Sequence, residues 1–245
     1  MPTTLLLFDT NVLWGDPWFE APDTQALLTL NGHGVQVLVP DLVLREQENH
    51  VRREVSDSMK AVKRSLGKLS QFTSRAFSDP LRGVTPEAAA ENYAKEIRKR
   101  LESTGTVILP TPEVSHAELS ARATLKRRPF SDEGKGYRDA LIWYSALEAI
   151  EETDDAHLII VSKNVKDFGN KQGGLHSDLQ DDVKSRWREA QPLVSLATSV
   201  RECWDKYLTM FAPRSPDLEV ELVSEKFLGI DIRRGRLRTS NSGLA

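Results

Sequence analysis

The chain has 245 residues, of which 39% are hydrophobic and 28% charged, and this composition is typical of a water-soluble globular protein. Its one cysteine, Cys203, excludes an intrachain disulfide, and no apolar run approaches the roughly 20 residues that a membrane span needs. We therefore expect a cytoplasmic protein that has no membrane partner.

The net charge is −3, but the basic residues are unevenly distributed. Residues 45–102 contain 13 Lys and Arg against 9 Asp and Glu, and residues 122–138 contain 6 against 2. Four more arginines lie near the C-terminus, at positions 233, 234, 236 and 238. Each segment alone fits a solvated helix face or a loose tail. Together they predict a surface that faces phosphates.

Short apolar runs alternate with helical patterns along the chain. The apolar runs, which predict buried strands, are residues 5–8, 35–39, 107–109, 158–161 and 193–196. The helical patterns lie at 24–30, 86–101, 138–150 and 199–208. This alternation predicts a three-layer α/β/α fold with a central parallel sheet.

Two segments fall outside that alternation. Residues 51–104 contain no convincing strand and are polar, basic and helical, with a break at 77–86, which predicts a helical insertion. Residues 210–245 begin before two prolines, include a candidate edge strand at 218–223, and end in a polar stretch that predicts disorder. We therefore expect one α/β domain over 1–209 and a partly disordered C-terminal extension over 210–245.

The first candidate site residue follows the first predicted strand. Asp9 comes directly after residues 5–8, at the strand end where open α/β sheets place their ligands. Helix capping by Asp9 or Thr10 explains the same pattern, and for Asp9 alone the two interpretations have about equal weight.

Two further acids lie at predicted helix starts. Glu46 lies one turn into a helix that begins near Asp41, and His50 follows four residues later on the same face. Asp139 lies in GKGYRDALIW at 134–143, where glycines precede an apolar helix but lack the spacing of a phosphate-binding loop. For Glu46 the alternative is a solvated helix residue, and for Asp139 it is a contact with the helix dipole.

A fourth group follows the predicted strand at 158–161. Ser162, Asn164 and Asp167 suit contact with an ion or a phosphate, and they equally suit an ordinary turn. Because the acids follow two strands and begin two helices, we expect them to meet at one edge of the sheet. Oxygen ligands of this kind are those that Mg²⁺ and Mn²⁺ prefer, and a cation would relieve the repulsion among them.

These motifs, in this order, resemble those of PIN-domain nucleases: FDTNVL at 8–13, Glu46, YRDALIW at 137–143 and SKNVKDF at 162–168. The resemblance covers roughly residues 4–208 and is closer to the larger bacterial stand-alone PIN-like proteins than to the compact toxins of toxin–antitoxin pairs. It implies cleavage of RNA with Mg²⁺ or Mn²⁺, giving a 5′-phosphate and a 3′-hydroxyl. It also implies that Asp9, Glu46, Asp139 and Asp167 are the catalytic, metal-binding acids.

The chain departs from the family pattern at one position. Many members carry an acid where this chain has Asn164, so either Asn164 or Asp167 is expected to reach the metal. Nearby residues predicted to contact substrate are Asn11, Lys135, Arg138 and Ser162. His50, Asp132 and Glu133 are secondary candidates for the site.

We therefore expect a metal-dependent endoribonuclease, with two alternatives. One is a PIN fold that binds RNA or a partner protein but cuts poorly, which Asn164 favours and the set of acids disfavours. The other is a metal-dependent phosphatase on a different α/β fold, which would prefer a second acid at the position of Asn11. RNA is the expected partner, while DNA, a second copy of the chain, and an antitoxin or regulatory protein are open alternatives.

Overall fold

A five-stranded parallel sheet, in the order β3-β2-β1-β4-β5, forms the centre of the molecule. The computed structural model describes residues 3–73, 75–131, 133–187 and 191–209. The strands are β1 (Thr3–Phe8), β2 (Val35–Pro40), β3 (Val107–Leu109), β4 (Ala156–Val161) and β5 (Leu193–Ala197). This is the predicted three-layer α/β/α architecture.

Strand β1 lies in the middle of the sheet and pairs with β2 and β4. Its last four residues, LLLF, are all buried, because a central parallel strand is covered on both faces. Leu7 aligns with Leu38, and Phe8 aligns with Val161. The carboxyl ends of β1, β2 and β4 therefore lie side by side, at the edge where the predicted site residues follow.

Helices connect the strands and cover the sheet. They are α1 (Thr10–Leu13), α2 (Pro22–Leu28), α3 (Asp41–Thr73), α4 (Pro86–Ser103), α5 (His116–Thr124), α6 (Tyr137–Glu151), α7 (Val165–Phe168), α8 (Ser177–Arg186) and α9 (Val200–Tyr207). Helix α6 packs on β4 and buries side chains around most of its circumference, as its apolar sequence predicts. Helices α5 and α8 are not predicted from the sequence, since each buries only two side chains.

Helix α3 is 33 residues long, which corresponds to about 50 Å. Its buried residues all lie in the first two turns, and the rest of the helix extends from the core alongside α4. Helix α4 begins where Thr85 Oγ1 accepts a hydrogen bond from Ala88 N at 3.1 Å, followed by Pro86 at the first helical position. Residues 51–73 and 86–103 are thus helical, and the described residues between them, 75–85, are not, which agrees with two helical parts separated by a break.

The predicted C-terminal extension, 210–245, lies outside the described residues, and so do its candidate edge strand and its arginines. The domain boundary at residue 209 therefore stays a prediction. Across the part of the chain that the structure describes, no helix combines the length and the apolar character needed to cross a membrane.

Candidate active site

A cavity of about 330 Å³ lies at the carboxyl edge of the sheet. Its walls come from the end of β1 with α1, from α3, from α6 and from the segment after β4. We name it the acidic pocket, and its lining residues are Asp9, Thr10, Asn11, Trp14, Glu46, His50, Arg138, Asp139, Ile142 and Asn164. The structure thus brings Asp9, Glu46 and Asp139 to one cavity, together with Asn164.

Asp9 is the most buried acid of this pocket, with 3% of its surface exposed. It lies at the N-cap position of α1, but its side chain makes no capping hydrogen bond. Instead, Asp9 Oδ2 accepts from Asn11 Nδ2 at 2.6 Å and from Ser162 Oγ at 2.5 Å. Burial raises the pKa of Asp9 above its ordinary value, although these hydrogen bonds oppose the shift.

Ser162 and Asn11 link the ends of β1 and β4. Ser162 is fully buried, and its Oγ accepts from Asn164 N at 3.0 Å. Asn11 Oδ1 accepts from Lys163 N at 2.8 Å. Both residues were predicted to contact substrate, but their placement favours a role in holding Asp9 in position.

Glu46 is held on two sides. Thr10 Oγ1 donates a hydrogen bond to Glu46 Oε2 at 2.7 Å, and Arg138 forms an ion pair with Glu46 Oε1. The neighbouring Gln47 is fully buried and donates from Nε2 to Thr10 O at 3.1 Å, which ties α3 to α1. Arg138, a predicted substrate contact, keeps 63% of its side chain exposed. Its guanidinium group therefore neutralises Glu46 while remaining accessible to a ligand.

Asp139 lies in the first turn of α6, directly after a tight backbone contact. Gly136, at the N-cap, has φ +119°, and a Cβ at this position would lie 2.2 Å from Pro129 O. Burial, and then the negative charge of Asp9, raise the pKa of Asp139 to about 6, and a weaker contribution comes from Asp167. The carboxyl group of Asp139 is therefore more easily protonated than an ordinary aspartate.

Asp167 lies outside the acidic pocket, on the far side of Asn164. Asn164 Nδ2 donates to Asp139 Oδ1 at 3.1 Å and to Asp167 Oδ2 at 2.6 Å. Arg128 Nη1 pairs with Asp167 Oδ1 at 3.3 Å. The sequence leaves open whether Asn164 or Asp167 reaches the metal. Asn164 lines the acidic pocket together with Asp9, whereas Asp167 does not line it.

A second cavity, of about 1290 Å³, adjoins the acidic pocket. We name it the basic groove, because five basic side chains and three acidic ones line it: Arg128, Lys135, Arg138, Lys166 and Lys171, with Glu133, Asp139 and Asp167. Arg138 and Asp139 line both cavities. Lys135, another predicted substrate contact, is exposed in the groove and paired with Glu133, while Asp132 lies outside the described residues. The groove thus leads directly to the acids.

Arg128 is a residue of this region that the sequence did not single out. Its carbonyl oxygen accepts from Nε of the buried Arg122 at 2.8 Å. Arg122 also pairs with Asp182 at 2.6 Å, and Trp143 Nε1 donates to the same carboxylate at 2.8 Å. The sequence feature that could have identified Arg128 is its position in the basic segment 122–138. Its contacts could not be predicted, because they depend on how α5, α6 and α8 pack together.

The described ranges contain no set of three His, Cys, Asp or Glu side chains already arranged to hold a metal ion. The donor chemistry nevertheless fits a hard divalent cation, because the pocket gathers carboxylate and amide oxygens and the pKa values of two of its acids are raised. In the structure, Glu46 forms an ion pair with Arg138, and Asp139 accepts a hydrogen bond from the side-chain amide of Asn164. Glu46 would have to separate from Arg138 to join a metal site.

Comparison with family models matches the model of the PIN domain over residues 6–168, which is more than half of the chain. The matched span contains Asp9, Glu46, Asp139, Asn164 and Asp167. Comparison with curated proteins and with solved structures gives no match. PIN domains are generally nucleases and typically use divalent metal ions. The chain therefore belongs to the PIN-domain family.

Proposed function

We propose that this chain is an endoribonuclease that hydrolyses RNA phosphodiester bonds with Mg²⁺ or Mn²⁺ bound in the acidic pocket. The observation that carries the proposal is that Asp9, Glu46, Asp139 and Asn164, from four separate segments, line one cavity. The basic groove that adjoins this cavity supports it further. So does the general nuclease activity of PIN domains.

The metal ligands in this proposal are Asp9, Asp139 and the side-chain oxygen of Asn164, joined by Glu46 once it separates from Arg138. A bound divalent cation would supply Lewis-acid stabilisation of charge on the phosphate and would lower the pKa of a water molecule. Asp167 acts indirectly, because it accepts from the amide of Asn164 and its charge raises the pKa of Asp139.

The side chains around these acids have positioning roles. Ser162 and Asn11 fix the carboxylate of Asp9, and Thr10 fixes that of Glu46. Arg138 pairs with Glu46 in the absence of substrate, and its exposed guanidinium group can pair with a phosphate of the RNA instead. The same movement would release Glu46 for the metal, so substrate binding and completion of the site would be coupled.

The second candidate function is binding of RNA or a protein without efficient cleavage. The pairing of Glu46 with Arg138 and the neutral Asn164 favour it, because both reduce the negative charge available to a metal. The phosphatase alternative needs a different α/β fold, and membership in the PIN-domain family argues against it.

Cleavage of an end-labelled RNA, with Mg²⁺, Mn²⁺ or EDTA, tests the proposal directly. Asp9→Asn and Asp139→Asn should each reduce the rate at least about 100-fold, because ligand loss should cost no less than the loss of outer-shell support. EDTA should abolish cleavage, and the products should carry a 5′-phosphate. Asp154→Asn, at an exposed aspartate outside the site, should match wild type.

Activity of Asp9→Asn within about twofold of wild type, after the protein has been stripped of metal and reloaded, would contradict the assignment. RNA binding without cleavage in any metal would favour the second candidate. The same assay with DNA of identical sequence decides between the two substrates.

A further inference from the structure

One wall of the acidic pocket is aromatic. Trp14 and His50 line the acidic pocket but not the basic groove, whereas Arg138 and Asp139 line both. The ring centroids of Trp14 and His50 lie 4.8 Å apart, with their planes tilted by 39°. Trp14 keeps 37% of its surface exposed. An indole therefore faces solvent beside the acids, on the side away from the groove.

His50 is oriented by its own neighbours on α3. It lies four residues after Glu46, on the same face of the helix. The guanidinium group of Arg53 lies 3.2 Å from His50 Nδ1, and since a guanidinium can only donate, Nδ1 is the acceptor. Burial, and then the charge of Arg53, lower the pKa of His50. The ring against Trp14 is therefore a neutral imidazole, with the positive charge of Arg53 beyond it.

These features have the chemistry of a base-binding site. An aromatic ring exposed beside a phosphate site can stack on a nucleobase, and a neighbouring cation can contact the next phosphate. A base in a duplex has both faces covered by its neighbours, so stacking of this kind requires an unpaired base. The structure combines an exposed indole, a ring that supports it and a cation, next to the acids.

We propose that Trp14 and His50 form a stacking subsite for an unpaired base next to the phosphate held in the acidic pocket. This inference rests on the proposed function, because it takes the acidic pocket as the phosphate site. Helix α3 carries Glu46, His50 and Arg53 on one side. In this arrangement the nucleic-acid strand runs from the acidic pocket across the rings of Trp14 and His50 and then past Arg53.

The chain offers a matched control. Trp18 is about as exposed as Trp14, at 39%, but it does not line the acidic pocket. Its ring packs edge-on against Tyr93, with centroids 4.9 Å apart. Loss of either indole removes a similar exposed aromatic surface, and only the loss of Trp14 removes the proposed subsite.

The test measures binding of a fluorescently labelled single-stranded RNA of about 12 nucleotides, in EDTA so that no cleavage occurs. Trp14→Ala should weaken binding about 5- to 150-fold, which corresponds to the 1–3 kcal/mol of one base stacked on an aromatic ring. Trp14→Phe should retain most of the affinity, and Trp18→Ala should bind like wild type. Affinity for the corresponding duplex should not respond to any of these changes.

A double-mutant cycle then identifies the base. Abasic sites are introduced along the RNA one position at a time, and each is measured against wild type and Trp14→Ala. At one position the abasic site should weaken binding to wild type and leave binding to Trp14→Ala unchanged. Equal affinities of wild type and Trp14→Ala, or additive losses at every position, would overturn the subsite. So would the absence of any binding to the oligonucleotide.

The failure of this inference and that of the proposed function are distinguishable. If the abasic site and Trp14→Ala are coupled at one nucleotide, but the protein cleaves RNA with no metal ion, the subsite is supported and the proposed nuclease activity is refuted. If cleavage depends on metal but the two losses are additive at every position, the nuclease activity is supported and the subsite is refuted. Unchanged thermal unfolding of Trp14→Ala shows that its effect is not a folding defect.

Discussion

Replacement of Asp139 by Asn is expected to stabilise the metal-free protein at neutral and alkaline pH. Burial and the charge of Asp9 raise the pKa of this carboxyl group from 3.8 to about 6. Because the folded-state pKa lies above the unfolded one, the folded state loses stability as pH rises between these values, and the full loss is present above about pH 6. Asn carries no charge, and its Oδ1 can still accept from Asn164 Nδ2.

The size of the effect follows from the shift. About 2 pKa units correspond to about 3 kcal/mol of unfolding free energy, and partial exposure of the side chain reduces this to about 1–3 kcal/mol. In a chain of this length 1 kcal/mol changes Tm by about 2–4 °C. Asp139→Asn should therefore raise Tm by about 2–12 °C at pH 8 and by about half as much near pH 5.

The assay is thermal unfolding in EDTA from pH 5 to pH 8, for wild type, Asp139→Asn and the exposed control Asp154→Asn. The control should show no pH-dependent difference from wild type. Addition of Mn²⁺ should stabilise wild type more than Asp139→Asn, since the variant lacks one proposed ligand. A difference in Tm between Asp139→Asn and wild type that is equal at pH 5 and pH 8, or a loss of stability at pH 8, would refute the reasoning.

Three further predictions concern the surroundings of the site. Ser162→Ala removes a buried donor to Asp9 and should cost about 1–3 kcal/mol in urea unfolding, whereas a cost near zero would show that Asp9 does not depend on this hydrogen bond. Gly136→Ala should destabilise the protein by more than the roughly 1–3 kcal/mol of a strained backbone, because the new Cβ would also meet Pro129 O, and wild-type stability would contradict the contact. Alanine replacement of Lys60, Lys63 and Arg64, on the exposed part of α3, should reduce the slope of log RNA affinity against log salt concentration by up to about 0.7 per lost phosphate contact. The turnover rate at saturating RNA should not change. An altered oligomeric mass with unchanged RNA binding would instead assign this helix to assembly.

Much of the framework is readable from the sequence because it depends on local patterns. The buried strands are short apolar runs, and Asp9 follows the central one directly. Parallel pairing then requires that residues after β1, β2 and β4 lie near one another. The joint lining of one pocket by Asp9, Glu46 and Asp139 follows from strand ends and helix starts alone.

The contacts that define the site depend on side-chain geometry that no local pattern contains. Ser162 could face a ligand or the neighbouring strand end, and the alignment of Phe8 with Val161 directs it to Asp9. The pairing of Arg138 with Glu46 joins positions far apart in the chain. The sequence shows that Arg138 and Glu46 are charged, but it does not show that they form an ion pair.

The anchoring of α3 has a mechanical consequence. Its buried side chains lie within the first two turns, beside Glu46, and α4 packs along the turns that follow, with Pro86 near Lys60. The mostly exposed residues from Lys60 to Thr73 span about 20 Å, and a bend of about 5° at Lys60 would displace the end of the helix by about 1.7 Å. Glu46 lies in the packed part of the helix and would not move. The far part of α3 can thus adjust to differently shaped molecules while the carboxylate keeps its position.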